Sequence, residues 1–122
     1  MLRFRSTNQG AARCVAEPFD HRGVRFHKGE TVLVGLATAN HDPAHFAEPH
    51  RLDLDTERSS HLAFGFGPHF CLGAALARVQ LQEAVGALAR RLTSPTVTRF
   101  TEFEGAGLVG MSALTITCSS RD

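Results

Sequence analysis

One cysteine in a glycine-rich loop, set directly before a long helical run, limits what this chain can become. Residues 64–73 read Phe-Gly-Phe-Gly-Pro-His-Phe-Cys-Leu-Gly, and a helical run from Ala74 to Leu92 follows at once. Backbone N–H groups crowd such a turn and the positive end of a helix dipole lies beside it, so Cys71 is favoured as thiolate. A stabilised thiolate is either a nucleophile or a soft metal ligand. The neighbours separate these outcomes, because a nucleophile needs a nearby base and open access. Here Phe64, Phe66 and Phe70 offer a dry, flat-sided surface, and His69 lies two residues away on extended backbone, which points its ring away from the sulfur. Gly65, Gly67 and Gly73 let the backbone turn tightly and approach a large planar object. A thiolate offered from such a loop suits an axial ligand to haem iron, with N–H groups around the sulfur tuning the metal.

The run Phe64-x-x-Gly67-x-His69-x-Cys71-x-Gly73, followed by Ala75-Leu76-Ala77-Arg78, resembles the haem-binding loop of the cytochrome P450 family. Histidine two residues before the cysteine, with Cys-Leu-Gly-Ala after it, is similar to the soluble bacterial branch. The resemblance covers nearly the whole chain and implies an α+β piece of a mainly helical fold, its C-terminal part. The expected parts are strands over 14–36, a meander over 47–63, the haem-thiolate loop over 64–73, a helix over 74–92 and a hairpin over 96–118. It implies haem b with the Cys71 thiolate as axial ligand, Phe64 packed beside the sulfur, and Gly65 and Gly73 admitting the macrocycle. Arg13, at the head of the first strand, and His69 match positions that meet the haem propionates. The implied activity is a monooxygenase inserting one oxygen atom from O2 into a small apolar substrate. Its electrons would come from a ferredoxin or flavodoxin-type donor docking on the proximal face.

Leu2-Arg3-Phe4-Arg5 resembles the end of the family's Glu-x-x-Arg helix, whose Glu would fall before the first residue. The expectation is therefore a chain that starts inside the motif. Pro49-His50-Arg51-Leu52 is similar to the family's Pro-x-Arg-Phe meander element, with leucine replacing phenylalanine. Arg3 and Arg51 would then be two members of a Glu-Arg-Arg network without its acid. Two buried cations lacking a carboxylate repel, which predicts a frayed or solvent-exposed corner. Arg78 is expected to anchor the helix near the loop.

Length and composition exclude other classes. A chain of 122 residues can form one small domain. Its formal net charge of +1 shows no basic face for nucleic acid or an anionic membrane. It has no apolar run of transmembrane length and no secretory or transit signal. Cys14, Cys71 and Cys118 are an odd set without zinc-like spacing, as expected in a reducing cytoplasm. His41 and His45 are four apart, but Pro43 lies between them and no third ligand is spaced to join them, so they read as solvated.

Local signals outline the rest. Ser6 to Ala12 is small and polar, a loop, and Cys14 to Glu17 a short strand candidate. Val24 to Phe26 and Thr31 to Leu36 flank His27-Lys28-Gly29-Glu30, a hairpin signal. Asp42 before Pro43 predicts the N-cap of a short helix ended by Pro49. Glu48 to Ser60 is a polar meander carrying Arg51, Arg58, Asp53, Asp55 and Glu57. Leu81, Val85, Leu88 and Leu92 form the stripe of the long helix, with Arg90 and Arg91 in its last turn. Val97 to Phe100 and Ala113 to Cys118 should pair across a glycine-rich loop at Gly105 to Gly110. These strands and this helix would carry apolar faces left open to solvent. Two other readings stand beside the monooxygenase: an inactive haem-binding remnant of such an enzyme, and a thiol redox protein using Cys71. No resolving cysteine lies near Cys71 in the sequence, which counts against the latter.

Overall fold

The computed structural model describes residues 1–54, 60–105 and 107–120, with no account of the Ser120 side chain. Asp55, Glu57 and Arg58 of the predicted meander lie outside the described residues. The chain forms two compact units, one of residues 1–63 with 106–108, the other of residues 64–105 with 109–122.

In the first unit, β1 (Gly10–Cys14) pairs antiparallel with β4 (Thr31–Gly35), from Gly10 opposite Gly35 to Cys14 opposite Thr31. The strand therefore begins where the sequence reads as loop and ends where a strand was expected to begin. Gly10, Ala11 and Ala12 are too small to announce a strand, and they become one by pairing with the β-rich run across the ladder. Gly10 is required there, since a Cβ would stand 2.9 Å from the Val34 carbonyl oxygen. Val15 extends the pairing by donating to Glu30 O (2.9 Å) and accepting from Gly29 N (2.9 Å).

The expected hairpin between 24–26 and 31–36 does not form. β3 (Val24–Phe26) pairs instead with β2 (Phe19–His21). Their two-residue turn, Arg22-Gly23, has both φ angles positive (49° and 82°), the backbone that suits a tight hairpin. Phe19 stacks on Phe26 at 4.8 Å, and Arg25 bonds Asp20 at 2.6 Å, so each cross-strand pair supports the turn. With β1 holding β4, the His27–Glu30 turn leads from one hairpin into the other sheet.

A short helix, α1 (Leu36–Ala39), follows β4 directly. The helix expected at Asp42 is absent. Asp42 does behave as a cap, its Oδ1 accepting from Ala44 N (2.9 Å) and its carbonyl from His45 N and Phe46 N (3.1 and 2.9 Å). The turn stops there, because Pro49 leaves no room for further helical residues. Buried Val15, Leu36 and Phe46 form the apolar centre of this unit.

The second unit starts with the loop at 64–73 and continues into α2 (Ala74–Arg91). α2 is capped by Gly73 without a side-chain bond, and carries Arg90 and Arg91 in its last turn, where cations complement the dipole. β5 (Leu92–Gly105) begins at the next residue, with no linker, and pairs with β6 (Leu108–Ser120). Both strands are longer than expected, and Gly107, just before β6, has φ 76°. Pro95 is compatible with β5 because both strands of a two-stranded sheet are edge strands, where alternate backbone nitrogens face outward and need no N–H. A Cβ at Gly110 would lie 2.6 Å from the Phe103 ring, which would have to turn aside to admit it. Ala74 is the buried apolar residue of this unit, while Leu76, Val79, Val85 and Leu88 on α2 are exposed, as are Leu33 and Val34 on β4. The apolar faces expected to lie open do so. Among the described residues no helix is long and apolar enough to cross a membrane.

Candidate functional site

The loop from Phe64 to Gly73 is built by its backbone. Gly65 and Gly67 both sit at φ 74°, a conformation that costs any other residue steric energy. Phe66 between them is extended, and Gly67–His69 form one 3-10 turn with Pro68 near its start. Phe70 N donates to Gly67 O at 2.9 Å and closes that turn. Cys71 N then donates to Phe64 O at 2.9 Å, tying the two ends of the loop together. The Cys71 carbonyl accepts from Ala74 N (3.2 Å) and Gly73 O from Ala77 N (2.9 Å), so the cysteine is joined to the first turn of α2.

This arrangement presents a thiol to the outside. Cys71 is exposed, and it lies between half-exposed Phe70 and Leu72, which is 102% exposed. Phe66 is 84% exposed. Gly73 has ordinary φ and needs no glycine for its backbone, but a Cβ there would stand 3.9 Å from Cys71 Sγ. Its bare Cα therefore keeps the space beside the sulfur clear. The Phe64 ring meets Phe70 edge-on at 6.3 Å and lies under the Arg78 guanidinium at 4.7 Å. A soft sulfur donor, open apolar side chains and a cleared approach are the features a large planar metal macrocycle needs.

Five of the expected site residues thus share one loop: Cys71, His69, Phe64, Gly65 and Gly73. His69 ends the 3-10 turn and is exposed, and its carbonyl oxygen faces the position a Gly65 Cβ would take, at 3.7 Å. Arg13 belongs to the other unit. It is exposed on β1 opposite Val32, and one of its guanidinium nitrogens donates to Ala12 O at 2.8 Å.

The Arg3 corner differs from expectation. Arg3 is half-buried and held rather than frayed: its Nη1 donates to the carbonyls of Asn40 (2.7 Å) and Pro49 (3.1 Å), and its guanidinium covers the Phe46 ring at 4.5 Å. Main-chain oxygens and a ring face stand in for a carboxylate. Arg51 is exposed and donates to Glu48 at 2.8 Å. That hydrogen bond, the Glu48 charge and then the Asp53 charge raise its pKa above the ordinary value. Sequence reasoning missed the centre of this corner, Asn40. It is 1% exposed, its Oδ1 accepts from Leu62 N at 2.7 Å, and its Nδ2 has no hydrogen-bond partner. A polar residue in a polar run gave no sign of such burial. His41, one residue on, stacks on His50 at 5.2 Å and holds Ala37 O through Nδ1.

Comparison with known proteins identifies the family. The family model for cytochrome P450 matches residues 1–100. Luteothin monooxygenase of Streptomyces thioluteus is 44% identical over 106 residues, covering 85% of this chain and 26% of that protein. The biotin biosynthesis cytochrome P450 of Bacillus subtilis is 39% identical over 113 residues, covering 93% of this chain and 28% of its own length. The crystal structure of P450BioI, in complex with an acyl carrier protein ligated to hexadec-9Z-enoic acid, superposes with a TM-score of 0.91 at 34% identity, over 97% of this chain and 31% of that one. A thermophilic cytochrome P450 from Sulfolobus tokodaii gives 0.94 at 29% identity, over 98% of this chain and 33% of that one. The fold is thus an α+β segment of the P450 fold, of bacterial type. The chain belongs to the cytochrome P450 family, whose members are haem-thiolate proteins. It spans about a quarter of the length of the curated relatives above.

Proposed function

We propose that this chain is the haem-binding part of a P450 monooxygenase, with Cys71 as axial ligand to the iron of haem b. The observation that carries the reading is an exposed thiol, backbone-locked at the mouth of α2, inside the stretch that matches the family. Haem bound there supplies the iron at which dioxygen is activated, with thiolate donation favouring O–O cleavage. The chain's own residues prepare that position. The Cys71–Phe64 backbone bond fixes where the sulfur's Cα stands, and Gly65 and Gly67 supply the turn that makes the bond reachable. Gly73 keeps the sulfur's flank clear, and Phe66, Phe70 and Leu72 offer apolar surface that excludes water. Arg13 and His69 serve the propionates. Arg13 spends one nitrogen on Ala12 O and keeps its other N–H donors for an anion.

The substrate class is small and apolar, and the electron donor a ferredoxin or flavodoxin-type protein. Support for apolar substrates comes from neighbours solved with testosterone and with a fatty-acyl carrier protein. For the 122-residue chain by itself no substrate turnover is expected, and its haem binding is what the test below measures.

The test is a carbon monoxide spectrum of the haemin-loaded, reduced chain. A strongly red-shifted Soret band is expected. Cys71→Ala should remove it, and Cys14→Ala and Cys118→Ala should leave it. An ordinary band in the parent chain, or equal losses from all three substitutions, rejects the ligand assignment.

A further inference from the structure

Resting on the reading of residues 64–73 as the sulfur-bearing site, we propose that Arg78 is a positioning residue for Cys71, acting through Phe64. Three observations converge. The Phe64 carbonyl accepts the Cys71 N–H at 2.9 Å, so whatever holds Phe64 holds the backbone that carries the sulfur. Two of the residues between them, Gly65 and Gly67, are positive-φ glycines, the least resistant backbone available. The ring of Phe64 supplies a restraint that these glycines do not. That ring meets Phe70 edge-on at 6.3 Å and lies under the Arg78 guanidinium at 4.7 Å, a cation–π distance.

Arg78 is also placed where a cation is not otherwise favoured. It is the fifth residue of α2, past the first turn and far from the C-terminal end, where the dipole offers a cation no support. Among the described residues it has no carboxylate partner. Its charge is directed at the ring face. The contact links α2, an eighteen-residue helix, to the far end of the loop that Cys71 closes. Cys71 is then held from both sides: through its carbonyl by Ala74 N, and through its amide by a carbonyl whose side chain the same helix pins.

Amide hydrogen exchange of Cys71, followed by NMR in the whole 122-residue chain without haem, tests this directly. In Arg78→Met, which keeps helix propensity and bulk, Cys71 exchange should accelerate about three- to fivefold, the size of a partly exposed cation–π contact. Arg78→Lys should return it to within about twofold of the parent, because an ammonium also sits over a ring. Phe64→Leu should match Arg78→Met, and the double variant should add nothing to either. Amides of β1 and β4 should not change. Equal effects of methionine and lysine would overturn the proposal, since charge would not matter. Additive effects in the double variant would also overturn it, since Phe64 would not be the intermediary. If Arg78→Met does not fold, an unchanged Cys71 rate in Phe64→Leu overturns it alone. Exchange requires no cofactor, so this result and the carbon monoxide spectrum can fail separately.

Discussion

The loop at 64–73 and the corner around Arg3 and Asn40 solve the same problem in opposite ways. Each holds the chain in a fixed shape around a functional-looking residue. The loop does so with its own backbone: two positive-φ glycines, one 3-10 turn, and a single N–H···O bond from Cys71 to Phe64. Its side chains stay largely outside, available to something else. The corner does so with side chains: Arg3 on two carbonyls and a ring, and Asn40, 1% exposed, on the amide of Leu62. Local backbone chemistry leaves a surface free to bind. Side chains used as ties are consumed by the structure.

Substitutions can break that contrast. The largest stability effect should come from Gly67→Ala. There is open space for a methyl, so the whole cost is backbone strain, about 1–2 kcal/mol. A neutral result would mean that the loop does not depend on its left-handed turn. Next is Asn40→Ala. Removing Oδ1 leaves the partly buried Leu62 N–H without its acceptor, a cost of about 1 kcal/mol in denaturant titration. Loss of Leu62 amide protection with Cys71 unaffected would mark the corner as separate from the loop. Gly73→Ala is smaller in stability, below about 1 kcal/mol, because its φ is ordinary. It should nevertheless weaken haemin binding, since the new methyl would touch the sulfur's flank. Unaltered haemin titration in this variant would dismiss the cleared-approach argument. Smallest of all is Arg51→Ala, with no measurable loss of stability expected, as both partners of its ion pair are exposed. Its raised pKa places the pair's contribution fully below the unfolded arginine value, lost only as pH rises through the higher folded value. Melting curves near neutral pH should therefore show no pH dependence from it.

The same contrast explains what could be read in advance. Cys71, Gly65, Gly67, Pro68 and the start of α2 follow from neighbours in the chain, and the family motif lies within ten consecutive residues. The long helix and the C-terminal pair of strands were legible for the same reason, with ends shifted by a few residues. β1 was not, because Gly10-Ala11-Ala12 becomes a strand only through its partners at 33–35. The pairing of β3 with β2 turned on Arg22 accepting a positive φ, which arginine rarely signals. Asn40 was invisible because its burial depends on Arg3, far back in the chain, and on Leu62, well ahead. Arg78 was expected to anchor the helix, but its contact with the Phe64 ring needed coordinates to be seen.

The junction of α2 and β5 leaves no slack. A helix advances about 100° per residue and a strand inverts its side chains at every step. One residue inserted at Thr93 would turn the whole hairpin over relative to α2, carrying Phe103 and Gly110 together to the opposite face. The rotational setting of the helix and the handedness of the ribbon's two faces are thus a single inherited choice, made once at Arg91–Leu92.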